Sequence, residues 1–242
     1  MLDLIHAWLL FPVVMVLLCA GIGLLIERVA GETVPGILVL PLGLAGLVSV
    51  AAFTTYASAT APATPVVVGL LALVGLVLGR RAHRPALTPS LTMIAVLLAF
   101  GAPVLLSGEA GFAGYLRLDD TATWLAFSDQ VMSAGRSLDD LPSATFLQLM
   151  KANVSIGYPL GGFTALGSGS RLAGLDAAWA FAPYLAFSGA LVAAGLWSIV
   201  TPVIPSTRVR ALVVFAAAQP ALLFSYVQWG GIKEISIAGI LL

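Results

Sequence analysis

The feature that most constrains this chain is a series of long apolar segments separated by short polar connections. A helix needs ~20 mostly apolar residues to cross the ~30 Å hydrocarbon core of a bilayer. A final apolar run, from Ile235 to Leu242, is too short to cross. We therefore predict an all-α fold, a polytopic transmembrane helical bundle. The predicted spans are Trp8–Ile26, Val34–Thr55, Pro65–Leu78, Leu91–Leu106, Leu172–Val200 and Ala211–Tyr226.

Composition supports this class of protein. The chain of 242 residues is 60% hydrophobic and 9% charged, whereas a soluble domain is about 45–50% apolar and about 25% charged. Eleven basic and eleven acidic residues cancel, so the net charge indicates no nucleic-acid partner. The single cysteine, Cys19, excludes an intrachain disulfide and a cysteine metal cluster.

Arginines in the short connections predict the orientation of the bundle. They follow the first, third and fifth predicted spans, so these connections share one side of the membrane. The positive-inside rule assigns that side to the cytoplasm. The N-terminus, the loop 107–171 and the loop Gln228–Glu234 are then extracytoplasmic parts of a multi-pass plasma-membrane protein. The arginines concerned are Arg28, Arg80, Arg81, Arg84, Arg208 and Arg210.

The loop 107–171 is the main polar concentration in the chain. Loops of this length usually have a function, and five of the eleven acidic residues lie between Asp119 and Asp140. From Thr121 to Ala134 the pattern predicts an amphipathic helix along the outer membrane interface. Asp129 and Gln130 lie away from its apolar face. That face carries Trp124, Phe127, Ser128 and Val131.

The Asp119-Asp120 pair has two compatible interpretations. Asp120 directly precedes the helical pattern, where its carboxylate would cap the helix by accepting a backbone N–H. Alternatively, one of the two carboxylates is a general base at the membrane surface, within hydrogen-bond reach of a hydroxyl. The second pair, Asp139-Asp140, favours a turn and a helix start with Pro142 at the first helical position.

Three further segments allow narrower predictions. Lys233, in the last external loop, either donates to a lipid phosphate or is paired with Glu234 or solvated. The Gly- and Pro-rich run 156–163 marks a turn that re-enters an apolar element. The run Gly167–Ser170 has no phosphate-loop spacing, and we expect a flexible connector there.

Two motifs in the external loop match a known family. One is Gly114-Tyr115-Leu116-Arg117-Leu118-Asp119-Asp120-Thr121-Ala122-Thr123-Trp124-Leu125, which follows a helix that leaves the cytoplasm; the other is Tyr158-Pro159-Leu160-Gly161. Together they resemble the first outer loop of GT-C type glycosyltransferases, polytopic bacterial enzymes that use polyprenyl-phosphate sugar donors. The resemblance covers about residues 91–200, under half of the chain.

The chain departs from the family pattern in two ways. In the family the acidic loop usually follows the first span. In this chain three spans precede the helix that leads into the loop, but the loop is predicted on the same side of the membrane. The later spans and C-terminal domain are absent, so we expect the N-terminal part of a longer protein, inactive by itself. Residues 1–90 would be an N-terminal three-helix segment and residues 91–242 a GT-C-like membrane core.

The resemblance implies inverting transfer of a hexosyl or pentosyl group to an extracytoplasmic glycan, lipid or protein acceptor. Asp120, or else Asp119, would be the base. Arg117 and Lys233 would stabilise the leaving lipid phosphate, and Tyr158 would contact substrate. The implied partners are membrane lipids, the polyprenyl-phosphate-linked sugar and the acceptor, with no nucleic acid.

The sequence indicates no cofactor with certainty, and a requirement for a divalent cation is left open. His6 and His83 are lone histidines without companions for metal binding, so no metal ligands are predicted.

The competing class is a non-enzymatic membrane protein such as a transporter or flippase. Such a protein places charged or polar residues near the midplane of the membrane, often on broken helices. The predicted spans contain almost none, and Asp176, near the outer end of the fifth, is the main exception. The distribution of charge therefore favours chemistry at the membrane surface.

Overall fold

The computed structural model describes residues 2–79, 86–116, 119–139, 141 and 143–242, and within these ranges all regular structure is helical. A π-helical turn, His6–Leu10, joins the first two helices. The helices are α1 Leu2–Ile5, α2 Phe11–Ala30, α3 Val39–Thr54, α4 Thr64–Leu78, α5 Leu87–Ser107, α6 Asp119–Ala134, α7 Thr145–Val154, α8 Gly161–Ala173, α9 Ala177–Val200, α10 Thr207–Ala217, α11 Ala221–Trp229 and α12 Ile232–Leu241.

Five helical stretches among the described residues are long and apolar enough to cross a membrane. This confirms the predicted all-α polytopic bundle. The stretches correspond to the first five predicted spans with shifted ends: Asp3–Ala30, Gly36–Thr54, Ala61–Leu78, Leu87–Ser107 and Ala177–Val200.

The fifth span begins later than Leu172 because the chain breaks before it. Gly174 adopts a left-handed conformation (φ +66°) and ends α8. The Asp176 carboxylate then accepts a hydrogen bond of 2.7 Å from the Ala178 backbone N–H and caps α9. Asp176 is therefore a cap outside the span, not a charge within it.

The sixth predicted span is not one straight helix. Helices α10 and α11 meet at a bend of 58°, and only together do they reach the length of a span. Pro220 lies at the break. A proline lacks the backbone N–H that a continuing helix needs, and its ring disfavours a helical conformation in the preceding residue.

Close packing of α2 against α3 and α4 depends on small residues. Within the bundle, a Cβ on Gly43 would overlap the Cys19 carbonyl of α2, and one on Gly75 would overlap the Gly21 carbonyl. Small residues of this kind let helix backbones approach in membranes, where lipid supplies no hydrophobic drive for association.

The run Gly167–Ser170 is not a flexible connector, as was expected, but the buried middle of α8. A Cβ on Gly167 would overlap Met132 of α6, and one on Gly169 would overlap Met15 of α2. The small residues therefore fit α8 between its neighbours. Helix α8 also contacts α3, α4 and α9, so segments 1–90 and 91–242 share one hydrophobic core.

Helix α6 lies across one end of this bundle with its predicted apolar face on α8. Phe127, Ser128 and Val131 are buried, and Ser128 Oγ donates to the Phe163 carbonyl at 3.1 Å. Gln130 is buried too, contrary to the predicted pattern, because its amide donates to the Ser137 carbonyl at 2.8 Å. The apolar stripe is thus covered by protein.

The next helix, α7, begins at Thr145, three residues after the predicted start at Pro142. Asp140 and Pro142 lie outside the described residues. Asp139 accepts a hydrogen bond of 3.0 Å from Ser137 Oγ, in keeping with the predicted turn.

The two ends of the bundle are named here by the residues that they carry. The end that carries α6, called here the α6 end, includes the links from Ala113 N–H to the Ala178 carbonyl and from Trp8 Nε1 to the Ala110 carbonyl. The opposite end, called here the arginine end, includes Arg28, Arg208 and Arg210 at helix termini. Arg80, Arg81, His83 and Arg84 lie outside the described residues.

Gly43→Ala should destabilise the protein, whereas Gly69→Ala should leave its stability unchanged or raise it. A Cβ at position 43 forces the α2 and α3 backbones apart, at a cost of ~1–3 kcal/mol. A Cβ at Gly69 meets the Leu172 side chain at an ordinary 3.5 Å. Thermal unfolding of both variants in detergent tests this. Equal stability of the two would contradict the close contact of α2 and α3.

Candidate functional site at the α6 end

The first turn of α6 carries the acidic pair. The helix begins at Asp119 rather than after Asp120, so the prediction that Asp120 is the N-cap is wrong, and both aspartates belong to the first turn. Carboxylates in that turn interact favourably with the helix dipole. Asp120 is partly buried. The side chain of Asp119, and all of Arg117, lie outside the described part of the chain.

The connection between α11 and α12 lies beside this turn. It consists of Gly230 and Gly231 alone, so Lys233 belongs to the first turn of α12 and the predicted loop Gln228–Glu234 is mostly helical. Leu116 N–H donates to the Gln228 carbonyl at 3.3 Å, and Gln228 Nε2 donates to the Phe100 carbonyl at 2.8 Å. A Cβ on Gly230, which has φ +96°, would lie 3.0 Å from the Phe181 ring of α9 and at an ordinary 3.6 Å from Thr121 Oγ1 of α6. These contacts bring two segments that are over 100 residues apart to one place.

Lys233 and Tyr158, both predicted substrate contacts, touch each other. The Lys233 ammonium lies 4.7 Å from the centroid of the Tyr158 ring and 3.7 Å from Glu234 Oε1. The pairing with Glu234, one of the predicted alternatives, is therefore present. The Tyr158 side chain, and more weakly the Glu234 carboxylate, raise the pKa of Lys233, while its partial burial acts in the opposite direction.

The Tyr158 ring belongs to an aromatic cluster that the sequence did not reveal. It stacks on Trp124, with centroids 5.7 Å apart and planes 20° apart. Trp124 also stacks on Phe163 at 5.4 Å, and Phe127 meets Phe163 edge to face at 5.7 Å. Trp124 stood in the acidic motif, but nothing in the sequence linked it to a tyrosine in a different segment.

Two buried hydroxyls at this end make no hydrogen bond of good geometry among the described residues: Thr121 Oγ1 and the Tyr158 hydroxyl, of which the second interacts with the Lys233 ammonium. A buried polar group without a partner costs stability, so such groups are suited to bond a ligand or water. This end of the protein thus presents an ammonium group, an aromatic face and the partly buried Asp120 in the first turn of α6. That set can bind a phosphate and accept a proton from a hydroxyl.

A separate polar group lies further along α6. Arg171 Nη1 donates to the Met132 carbonyl at 2.6 Å. Partial burial and the Asp176 carboxylate raise the pKa of Asp129, while Arg171 opposes that shift. Asp176 caps α9 and Arg171 bonds the C-terminal end of α6. The interactions among Asp129, Arg171 and Asp176 are therefore accounted for by structural roles.

Within the described ranges, no group of three or more His, Cys, Asp or Glu side chains could hold a metal ion. The catalytic role predicted for Asp119 and Asp120 and the binding role predicted for Arg117, Tyr158 and Lys233 stay predictions.

The fold and its long apolar helices define an α-helical polytopic membrane protein. No protein-family model matches the chain, and comparisons with curated proteins and with solved structures find no match.

Tyr158→Leu should destabilise the α6 end, whereas Tyr158→Phe should not. Leucine loses the stack on Trp124 and the contact with the Lys233 ammonium, together worth about 1–2 kcal/mol. Phenylalanine keeps both ring contacts. Hydrogen exchange of residues 229–235, with thermal unfolding in detergent, measures the difference. Similar exchange in the leucine and phenylalanine variants would show that the ring contacts do not hold this segment.

Proposed function

We propose that this protein is a membrane glycosyltransferase. It transfers a hexosyl or pentosyl group from a polyprenyl-phosphate donor to an extracytoplasmic acceptor in a cell-envelope glycan, lipid or protein. The observation that carries the proposal is the contact of the Lys233 ammonium with the Tyr158 ring. Lys233 lies in the first turn of α12, directly after a connection that contacts Thr121, the residue next to the Asp119-Asp120 pair. A phosphate donor and a base are the two groups that such a transfer needs close together.

In the proposed reaction, Asp120, or else Asp119, accepts the proton of the acceptor hydroxyl. The hydroxyl oxygen forms a bond to the anomeric carbon while the bond from that carbon to the phosphate oxygen breaks. The electron pair leaves with the polyprenyl phosphate, whose growing charge Lys233 and Arg117 stabilise. Attack opposite the leaving group inverts the anomeric centre.

The proposed orientation has the α6 end outside the plasma membrane and the arginine end in the cytoplasm. Arg28, Arg208 and Arg210 lie at helix termini of the arginine end, in keeping with the positive-inside rule.

A transporter or flippase is the second candidate. The bent pair α10–α11 and the short buried helix α8 are interrupted elements of the kind that transporters use at their binding sites. Against it, the four candidate spans after the first carry no charged residue. A conduction path for a charged substrate would need such groups, so the enzyme is the better-supported proposal.

Replacing both aspartates, Asp119→Asn with Asp120→Asn, should lower sugar transfer by at least ~10²-fold, the usual contribution of a general base. The assay uses membranes that contain the full chain, with radiolabelled polyprenyl-phosphate hexoses and pentoses as probes. Asp139→Asn is the matched control, an external aspartate in a turn, and should retain activity. Undiminished transfer by the double variant at wild-type stability would contradict the assignment of the base.

A cysteine at Ser133 should react with a membrane-impermeant maleimide on intact cells, and one at Thr207 only after the membrane is opened. Ser133 and Thr207 are exposed at the α6 end and the arginine end, respectively, and the native Cys19 is buried. The reverse labelling pattern would overturn the proposed orientation without bearing on the fold.

A further inference from the structure

An apolar groove of about 330 Å³ opens between α2, α3 and α5 in the half of the bundle nearest the arginine end. Val16, Ala20 and Leu24 of α2 line one wall at helical spacing, and Met93 and Ile94 of α5 line the other. Its volume lies within the range of about 300–1,000 Å³ of ligand sites.

The lining suits hydrocarbon. Ser90 brings the one hydroxyl among the lining residues, and Ser90 Oγ already donates to the Ala86 carbonyl at 3.2 Å. Both walls are candidate membrane spans, so the neighbouring molecules at this depth are lipid chains.

A second recess, with Ile37 as a shared lining residue, contains an arginine. This recess of about 370 Å³ is lined by Ile37, Trp197, Thr201 and Arg210 among others. A single amphipathic molecule could therefore contact Ile37, with its hydrocarbon chain in the groove and its polar headgroup in the second recess.

The Arg210 guanidinium is held firmly. Its Nε and Nη2 donate to the Ile204 carbonyl at 3.0 and 2.7 Å, and Nη2 also reaches the Thr201 carbonyl at 3.3 Å. The guanidinium carbon lies 5.2 Å from the centroid of a Trp197 ring. Nη1 makes no hydrogen bond to the described residues. Because the guanidinium is fixed and its Nη1 group is not engaged by the described residues, Nη1 is well suited to donate to a phosphate oxygen.

We propose that the two recesses bind one anionic membrane phospholipid, with an acyl chain between α2 and α5 and the phosphate on Arg210. Charge complementarity selects this occupant, since basic pockets between membrane helices bind anionic headgroups. Arg208 adds positive charge two residues from Arg210, whereas Arg28 is balanced by Glu27 and Glu32 beside it. The site is at the opposite end from the Lys233 site, so it stands independently of the proposed transferase function.

Photocrosslinking of the purified full chain in detergent tests the proposal. The probe is phosphatidylglycerol with a diazirine in one acyl chain, and adducts are mapped by mass spectrometry. We expect them within residues 16–24 and 90–94, and we expect unlabelled phosphatidylglycerol to compete about tenfold better than phosphatidylcholine with the same chains.

Matched variants separate the two parts of the site. Arg210→Gln should abolish the tenfold headgroup preference, whereas Arg208→Gln, two residues away and exposed, should keep it. Ala20→Phe should remove the adducts by filling the groove, whereas Ala52→Phe, exposed on α3, should not.

Three results would overturn the proposal: adducts spread evenly over the exposed faces of the spans, equal competition by the two lipids, or exclusion of lipid from the groove by a second copy of the chain. The competition between phosphatidylglycerol and phosphatidylcholine is measured on the wild-type protein. It therefore decides whether the site prefers an anionic headgroup even if Arg210→Gln fails to fold.

Discussion

The burial of α8 in the centre of the bundle is the interaction on which the rest of the structure depends. Its glycines and serines let it approach Met15 of α2 on one side and Met132 of α6 on the other. Because α6 lies on α8, Trp124 reaches Phe163 and Tyr158, and the Tyr158 ring supports Lys233. A larger side chain in the middle of α8 would separate the membrane helices from the α6 end.

The prediction of membrane spans succeeded where length and hydropathy alone decide the structure. A helix satisfies its own backbone hydrogen bonds, so an uninterrupted apolar segment such as Leu87–Ser107 needs no partner to specify its conformation. The prediction failed at interruptions. Pro220 bends the predicted sixth span, and Gly174 with Asp176 delays the fifth, because single residues decide these points and an average over the segment conceals them.

The candidate site was predicted in part. Tyr158 and Lys233 were selected separately, one from a Gly- and Pro-rich turn and the other from a short external loop, and the fold brings them into contact. Trp124 and the buried Thr121 hydroxyl were missed as parts of that site, since their importance arises from neighbours distant in sequence. The mistaken cap at Asp120 came from placing the start of α6 two residues late.

The sequence by itself determined the class of protein and the placement of nearly all charged residues outside the apolar spans. These follow from the cost of placing charge in hydrocarbon, which acts on each segment alone. Only the tertiary structure decided that the run Gly167–Ser170 is a core helix rather than a connector, and that Lys233 lies on Tyr158. Small polar residues suit a loop and a tight helix contact equally well, so the choice depends on the shape of the neighbouring helices.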